Sequence, residues 1–235
     1  MKSVIILAAG VGSRLRPLTN DCPKCMIEVA QQPLIQRLIL QIQNFSPASK
    51  IIVVGGYKVE LLKKFLHKFD ANIDLVINPD YSTTNNMESC RLGLEAAPIG
   101  GCIIVNADCV YDDAIVKGML EQKTSCIAVD SSQYFKENMK VRVDKGTVTK
   151  ISKDLDDALD IKTSIDIYYF TELDRRFLHK IMLNFNHNND LNQWTEVAID
   201  RLVSEQPVSP KEFRGNKWME IDNLGDLDIA QKLFA

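Results

Sequence analysis

Short continuous runs of apolar residues alternate, over residues 1–130, with longer segments in which apolar residues recur at helical spacing. A short apolar run predicts a buried strand, and apolar residues three and four apart predict one face of a helix. The pattern predicts strands at residues 4–7, 50–54, 74–77, 101–106 and 125–129, and helices at 34–45, 59–69 and 89–97. This alternation is typical of an α/β fold with a doubly wound, mostly parallel, Rossmann-like sheet.

The pattern changes near residue 130. Two strand-like segments, 139–143 and 147–151, flank Asp144-Lys145-Gly146, a sequence typical of a hairpin turn. We therefore expect one domain over residues 1–235, in which 1–130 form the parallel sheet and 131–235 a small mixed β subdomain. The elements predicted in the second part are strands at 165–170 and 218–222 and helices at 177–183, 194–204 and from residue 226.

The composition argues against nucleic acid and membranes as partners of this protein. The chain has 235 residues, a formal net charge of −3 and 46% hydrophobic residues, so it has no basic field that would attract nucleic acid or an anionic membrane. It has no apolar run near the roughly 18 residues of a membrane span and no signal-peptide pattern, so we expect a cytoplasmic protein. The six cysteines do not predict a disulfide scaffold, and Cys22-x-x-Cys25 has no second pair to complete a zinc site.

A glycine-containing loop follows the first predicted strand. It begins Gly10-Val11-Gly12-Ser13-Arg14 and continues through Pro17 and Thr19 to Pro23-Lys24. Such a loop places free backbone N–H groups at the carboxyl edge of a sheet, where a polyphosphate can bind, and Arg14 and Lys24 add cations. A purely structural turn is one alternative. A dinucleotide-binding loop is another, but it needs a third glycine near position 15, where this chain has leucine.

The pattern G-x-G-x-R-x-x-P-x-T followed by P-K resembles the signature of sugar-phosphate and head-group nucleotidyltransferases. The resemblance implies that Arg14 and Lys24 are catalytic, with Arg14 at the β- and γ-phosphates of a nucleoside triphosphate and Lys24 at the α-phosphate. The loops after the second and third strands resemble the family's base- and ribose-binding segments. The implied nucleotide-binding residues are Leu7, Ala8, Ala9, Gly10, Gly12, Gly56, Tyr57, Asn85, Asn86 and Asn106.

Two carboxylates are candidates for a Mg²⁺ site. Asp108 follows the apolar run of the fourth strand in Asn106-Ala107-Asp108, which resembles the family's D/N-A-D element. Asp222 lies in Trp218-Met219-Glu220-Ile221-Asp222, which resembles the family element that completes the metal site. Mg²⁺ is usually held by one or two carboxylates together with substrate phosphates. The alternatives are that Asp108 caps the next helix and that Glu220 orients substrate instead.

The acceptor side is expected to contain cations and an aromatic, acidic pocket. Lys140 and Lys153 lie in a stretch that resembles the acceptor-phosphate region of head-group cytidylyltransferases, although exposed hairpin lysines are also common. Trp194 and Trp218, the only tryptophans, could bind an ammonium group beside Glu196, Glu220 and Tyr168, or could be core residues.

The resemblance is closest to cytidylyltransferases that activate small polar head groups. It implies a Mg²⁺-dependent transfer of CMP from CTP to a phosphorylated or phosphonate acceptor, namely phosphocholine, phosphoethanolamine, aminoethylphosphonate or a phosphorylated amino acid. The product would be a precursor for surface polysaccharide or lipid modification. Asp166 stands where hexose-phosphate members commonly have glycine. A hexose-1-phosphate enzyme using UTP or dTTP and an inactive regulatory subunit remain alternatives. No nucleic-acid or membrane partner is expected, and the resemblance is compatible with a homodimer.

Overall fold

The computed structural model describes residues 2–69, 72–134, 136–156 and 158–235. Within them no helix is both long and apolar enough to cross a membrane. The strands are β1 Ser3–Ala8, β2 Glu28–Val29, β3 Gln32–Pro33, β4 Lys50–Gly55, β5 Ile73–Ile77, β6 Cys102–Asn106, β7 Cys109–Tyr111, β8 Cys126–Asp130, β9 Lys140–Asp144, β10 Thr147–Ser152, β11 Ile161–Phe170, β12 Ser209–Glu212 and β13 Trp218–Glu220. The helices are α1 Leu34–Phe45, α2 Val59–Leu66, α3 Asn86–Ala96, α4 Asp113–Leu120, α5 Glu172–His187, α6 Thr195–Val203 and α7 Leu224–Phe234.

The centre of the fold is a parallel arrangement of β6, β1, β4 and β5, in that order. The strands β6, β1 and β4 are rich in valine, isoleucine and leucine because helices cover both of their faces, whereas β5 at the end of the sheet is only partly buried. On one face α1, α2 and α4 pack against alternate residues of β1 such as Val4 and Ile6. On the other face α3, α5 and α6 pack against Ile5 and Leu7. The doubly wound α/β class predicted from the sequence is confirmed.

The long strand β11 connects the two parts of the chain. It pairs antiparallel with β8 along one side, and with β9 and then β6 along the other side. β8 therefore runs in the same direction as β6 but is separated from it by β11. The hairpin β9–β10 and the strand β12 extend the same nine-stranded sheet, so the mixed part of the fold is joined edge to edge with the parallel part.

Two short strand pairings lie outside this sheet, and one of them positions candidate site residues. β13 pairs antiparallel with β7, with Glu220 opposite Cys109, and the amide of Ile221 donates to the carbonyl of Asp108. The other pairing joins β2 to β3. The first pairing brings the segment after residue 218 to the carboxyl end of β6, where Asp108 lies.

Most predicted elements are present, with shifted ends. The helix predicted at residues 34–45 has those bounds, and the predicted hairpin is β9–β10. The helix predicted at 177–183 is much longer and begins at Glu172, because the Thr171 hydroxyl accepts from the amide of Asp174 and caps it. The last helix begins at Leu224, two residues earlier than predicted, with Asn223 and Asp226 forming a capping box.

Candidate active site

A cavity of about 350 Å³ opens at the carboxyl ends of β1 and β6. This is the edge at which open α/β sheets bind ligands. Predicted residues that line it are Leu7, Ala9, Gly10, Gly12, Arg14, Lys24, Asn85, Asn86, Asn106, Asp108, Lys153, Trp194, Glu196, Glu220 and Asp222. The structure thus brings most of the predicted site residues together at one cleft, and the role of each residue remains a proposal.

Gly12 allows the loop after β1 to close against Lys24. Its φ angle is +65°, and a Cβ at this position would lie 2.9 Å from Cβ of Lys24. Its carbonyl also accepts a 2.8 Å hydrogen bond from the hydroxyl of the buried Thr19. Glycine is required here because another residue would be strained at this φ angle, and because its Cβ would displace Lys24 from the cleft.

The ammonium of Lys24 lies between two carboxylates from distant parts of the chain. Its Nζ is 2.7 Å from Oδ2 of Asp108 and 2.8 Å from Oδ1 of Asp222, and the lysine side chain is only 12% exposed. Burial by itself lowers the pKa of Lys24, but the two carboxylates outweigh it, so the pKa is raised above the ordinary value. Lys24 is therefore a fixed cation at neutral pH.

Asp222 joins this lysine to Arg14. An Arg14 guanidinium nitrogen lies 2.8 Å from Oδ2 of Asp222, and the arginine side chain is 69% exposed. Burial raises the pKa of Asp222, but Lys24 and then Arg14 lower it further, so the net pKa is below the ordinary value. The carboxylate stays ionised, and the exposed Arg14 can leave it to contact an anion.

Asp108, Glu220 and Asp222 could together hold a metal ion. One carboxylate oxygen from each lies within 4.8 Å of the others. A set of hard oxygen donors suits Mg²⁺, and the ammonium of Lys24 among two of these carboxylates shows that the site accommodates positive charge. Burial, followed by repulsion from Asp166, raises the pKa of Glu220 to about 9. One Glu220 oxygen also accepts a 3.0 Å hydrogen bond from the Asn138 amide.

The opposite wall of the cleft is built from amides and hydroxyls. The Asn85 side chain accepts from the amide of Asn86 and caps α3, and the Asn86 side chain accepts from the amide of Thr195 at the start of α6. Asn78, buried after β5, donates to hydroxyls of Thr84 and Ser89. This wall connects the loops after β5 with the second half of the chain.

The end of the cleft that the sequence predicts to bind the acceptor contains Trp194, Lys153, Glu196 and Asp166. Trp194 is half-exposed, and the Lys153 ammonium lies 4.8 Å from the centre of its ring. Glu196 and Asp166 are buried and both contact the hydroxyl of Tyr168. This end is therefore acidic, with one aromatic face at its entrance.

Five predicted site residues do not line the cleft, namely Ala8, Gly56, Tyr57, Lys140 and Trp218. Ala8 is buried in the core as the last residue of β1. Gly56 lies against Tyr81, whose Cβ would be 2.6 Å from an added side chain. The Tyr57 hydroxyl lies 3.0 Å from the carbonyl of Thr19 and 3.1 Å from that of Asn20, so it supports the loop rather than lining the cavity.

Lys140 and Trp218 are instead buried in structural positions. The Lys140 ammonium donates to the carbonyls of Lys136 and Lys153 and lies beside the cleft, in a neighbouring cavity. The Trp218 indole donates a 2.9 Å hydrogen bond to Asp130 within the core. The predicted partner of Trp194 in an aromatic pocket is thus absent from the cleft.

Several residues that line the cleft were not among the site residues predicted from the sequence. Asp166 carried a signal, because a carboxylate within the apolar run of β11 is unusual. Tyr81 and Thr84 follow β5 and could have been inferred from the strand-end rule. The others, Ser13, Asn78, Ser89 and Met139, carry no distinguishing sequence signal.

Comparisons with known proteins identify the family of this chain. Residues 4–152 match the MobA-like NTP transferase domain. The chain is 29% identical to a CTP:phosphoglutamine cytidylyltransferase from Campylobacter jejuni, over 97% of this chain and 98% of that one. It is 25% identical to a 2-aminoethylphosphonate cytidylyltransferase from Lancefieldella rimae, over 96% and 90%.

A solved structure of CTP:phosphocholine cytidylyltransferase from Streptococcus pneumoniae superimposes with a TM-score of 0.82 at 23% identity, over 100% of this chain and 99% of that one. This likeness concerns the fold. The domain match covers more than half of the chain and contains Arg14, Lys24 and Asp108. The protein belongs to the nucleotidyltransferase family defined by the MobA-like NTP transferase domain.

Proposed function

We propose that this protein is a Mg²⁺-dependent cytidylyltransferase that transfers CMP from CTP to a small phosphorylated or phosphonate head group and releases pyrophosphate. The observation that supports this most directly is the convergence of Arg14, Lys24, Asp108 and Asp222 after the glycine loop. The relatives named above as cytidylyltransferases support CTP as the donor. The product would serve as an activated precursor in surface polysaccharide or lipid modification.

The reaction is a displacement at phosphorus. An oxygen of the acceptor phosphate or phosphonate attacks the α-phosphorus of CTP, and pyrophosphate leaves with the bond electrons. Catalysis of this kind depends on position and charge rather than covalent participation of the protein. Lys24 would contact the α-phosphate, where its ion pairs hold the ammonium in place, and Arg14 would leave Asp222 to bind the β- and γ-phosphates.

Asp108 and Asp222 would hold Mg²⁺, with Glu220 as a third carboxylate close by. When bound, Mg²⁺ neutralises phosphate charge and orients the phosphate oxygens. Leu7, Ala9 and the amides of Asn85 and Asn86 would face the pyrimidine and ribose, since all four residues line the cleft. We further propose that residues 1–130 bind the nucleotide and residues 131–235 the acceptor.

The acceptor must bring a second anion to the cleft. Among the charged residues that the structure describes at the acceptor end, Lys153 is the cation, since Lys140 is occupied by backbone carbonyls. We therefore assign the acceptor phosphate to Lys153. The acidic residues and Trp194 around it favour a head group with an ammonium over a neutral sugar.

Pyrophosphate release with Mg²⁺ tests this function. The panel crosses CTP, UTP, dTTP, ATP and GTP with phosphoethanolamine, aminoethylphosphonate, phosphocholine, phosphorylated amino acids and glucose 1-phosphate. Turnover that requires CTP and a head-group acceptor is the expected result. Turnover with UTP or dTTP and glucose 1-phosphate would instead assign a sugar enzyme.

The variant Asp108→Asn should reduce turnover at least 10³-fold while the protein stays folded. Asp228→Asn, an exposed acid on α7, is the matched control and should be fully active. Equal activity of Asp108→Asn and the control would contradict the assignment of Asp108. Inactivity of the unmodified protein across the panel, with CTP bound in calorimetry, would indicate a regulatory subunit.

A further inference from the structure

Asp166 is held in a backbone conformation that few residues adopt. Its φ angle is +56°, and it lies at a bulge in β11, where the pairing with β8 shifts register between Ser164 and Tyr168. Asparagine and aspartate tolerate this left-handed conformation better than other residues with side chains. The bulge turns the Asp166 carboxylate toward the acceptor end of the cleft, where it is 5% exposed.

The Tyr168 hydroxyl joins Asp166 to Glu196. Its oxygen is 3.0 Å from Oδ1 of Asp166 and 2.9 Å from Oε1 of Glu196, and all three side chains are buried. A phenol has one hydrogen, so it donates to one carboxylate only. If both acids were ionised, the other carboxylate would face the phenol oxygen lone pairs without a hydrogen between them. The Ser164 hydroxyl is a further donor to Oδ1 of Asp166, but at a longer 3.4 Å, so the geometry favours one proton on the pair.

Asp166 is the better carrier of that proton. Burial raises the pKa of Glu196, but the residue lies in the first turn of α6, where the helix N-terminus and a backbone hydrogen bond oppose this rise and favour the ionised form. In this arrangement the protonated Asp166 carboxyl donates to the Tyr168 oxygen, and the Tyr168 hydroxyl donates to the ionised Glu196, so both hydrogens have an acceptor. Burial, followed by repulsion from Glu196 and Asp108, raises the pKa of Asp166 to about 8.

The groups that face this pair are mostly acidic or neutral. The carboxylates of Asp108 and Glu220 are close enough to repel Asp166, and the buried thiols of Cys90 on α3 and Cys109 on β7 lie near Glu196 and Asp166, respectively. The Tyr111 hydroxyl donates to the backbone carbonyl of Asp166. Lys153 is the described cation near both acids, and its ammonium is over the Trp194 ring. Beyond the contribution of Lys153, positive charge at the pair must therefore come from a proton or a ligand.

We infer that Asp166 and Glu196, joined by Tyr168, form the head-group specificity site, and that it exchanges its shared proton for an N–H-bearing ammonium of the acceptor. The proton leaves the Asp166 carboxyl for the solvent, no covalent bond to the acceptor forms, and the ammonium then donates to both carboxylates. This inference rests on the proposed function, since it concerns the acceptor of that reaction.

The site favours an ammonium with hydrogens over a quaternary ammonium. Its polar groups are hydrogen-bond acceptors, which a primary ammonium satisfies and a trimethylated one does not. The rings that line the cleft among the described residues are Tyr81 and Trp194, and Trp194 is already in contact with Lys153. Recognition of quaternary ammonium depends on several aromatic faces around the cation.

Calorimetry in two buffers of different ionisation enthalpy measures the exchange. Phosphoethanolamine and ethyl phosphate, which lacks the amine, are titrated at pH 7 into the full-length protein with Mg²⁺ and an uncleavable CTP analogue. Phosphoethanolamine should release about one proton more than ethyl phosphate, and this difference should vanish in Asp166→Asn. Subtraction of ethyl phosphate removes the titration of the phosphate itself.

Steady-state kinetics provide the second readout. Asp166→Asn keeps the shape of the side chain and suits the left-handed backbone, so it should fold. We expect it to raise KM for phosphoethanolamine at least tenfold and to leave KM for ethyl phosphate within about twofold. Tyr168→Phe should also abolish the excess proton release. Glu205→Gln, an exposed acid beyond α6, is the matched control and should match the unmodified protein.

The outcomes separate this inference from the proposed function. Equal binding and equal turnover of phosphoethanolamine and ethyl phosphate, or no excess proton release, would overturn the specificity site while CMP transfer stands. Better turnover of phosphocholine than of phosphoethanolamine would overturn the preference for N–H groups. Absence of CMP transfer to every acceptor would overturn the function, and the proton release is measured independently of transfer.

Discussion

The ammonium nitrogen of Lys24 lies 2.7 Å from a carboxylate oxygen of Asp108, although 84 positions separate the two residues in the chain. The lysine comes from the loop after β1 and the aspartate from the end of β6, and these strands are neighbours in the sheet. The contact joins the cation proposed to act on the α-phosphate to a proposed metal ligand. Moving one of these groups should therefore affect the other.

Lys24→Ala should reduce kcat for pyrophosphate release by about 10²–10³-fold, because a fixed cation near the α-phosphate is lost. The loss also leaves Asp108 and Asp222 without their buried partner, so a lower melting temperature is expected. Stopped-time assays and thermal unfolding measure the two effects. Lys64→Ala, at an exposed position on α2, is the control; a kcat for Lys24→Ala equal to that of Lys64→Ala would refute the assignment.

Asp222→Asn should raise the Mg²⁺ concentration needed for half-maximal activity at least tenfold, since a charged ligand becomes neutral. The change also removes the ionic partner of Arg14, so KM for CTP should change as well. A titration of activity against Mg²⁺ at saturating CTP separates the two effects. An unaltered Mg²⁺ requirement would exclude Asp222 as a metal ligand.

The two tryptophans should behave differently when changed. Trp218→Phe removes the buried hydrogen bond to Asp130 and should lower the free energy of unfolding by about 1–3 kcal/mol, with little effect on KM for the acceptor. Trp194→Ala should leave stability nearly unchanged because the residue is half-exposed, and should raise KM for the acceptor. Urea unfolding and acceptor kinetics on both variants test this pair; an acceptor effect confined to Trp218 would contradict the structure.

Asp166→Asn should increase the free energy of unfolding relative to the unmodified protein, and the increase should grow as pH rises. The pKa of Asp166 is raised from 3.8 to about 8 in the folded state, so the folded protein binds more protons than the unfolded chain between these values. The contribution of Asp166 to stability is therefore present below pH 3.8 and is lost as pH rises toward 8. Asparagine does not titrate and removes this pH dependence. We expect the free energy of unfolding of the variant to exceed that of the unmodified protein by about 1–3 kcal/mol near pH 8. Urea unfolding at pH 5 and pH 8 measures it, and a gain confined to pH 5 would refute the titration.

Local patterns were sufficient for most of the fold. The apolar runs placed β1, β4 and β6 because burial on both faces dictates their composition, and helical spacing placed α1 because one of its faces is buried. Helix ends were less accurate where a side-chain cap sets them, as Thr171 does for α5. The order of β8 and β11 was not predictable, because strand order depends on contacts between segments far apart in the chain.

The sequence by itself determined the fold class, the glycine loop and the identities of Arg14, Lys24, Asp108 and Asp222, because these depend on residue type and strand-end position. Only the tertiary structure decided which side chains face the cleft. Lys140 and Trp218 had the right chemistry, but backbone carbonyls and Asp130 bind them elsewhere. Asp166 reaches the cleft because a bulge in β11 turns it there. Side-chain direction depends on pairing register, which no local sequence pattern specifies.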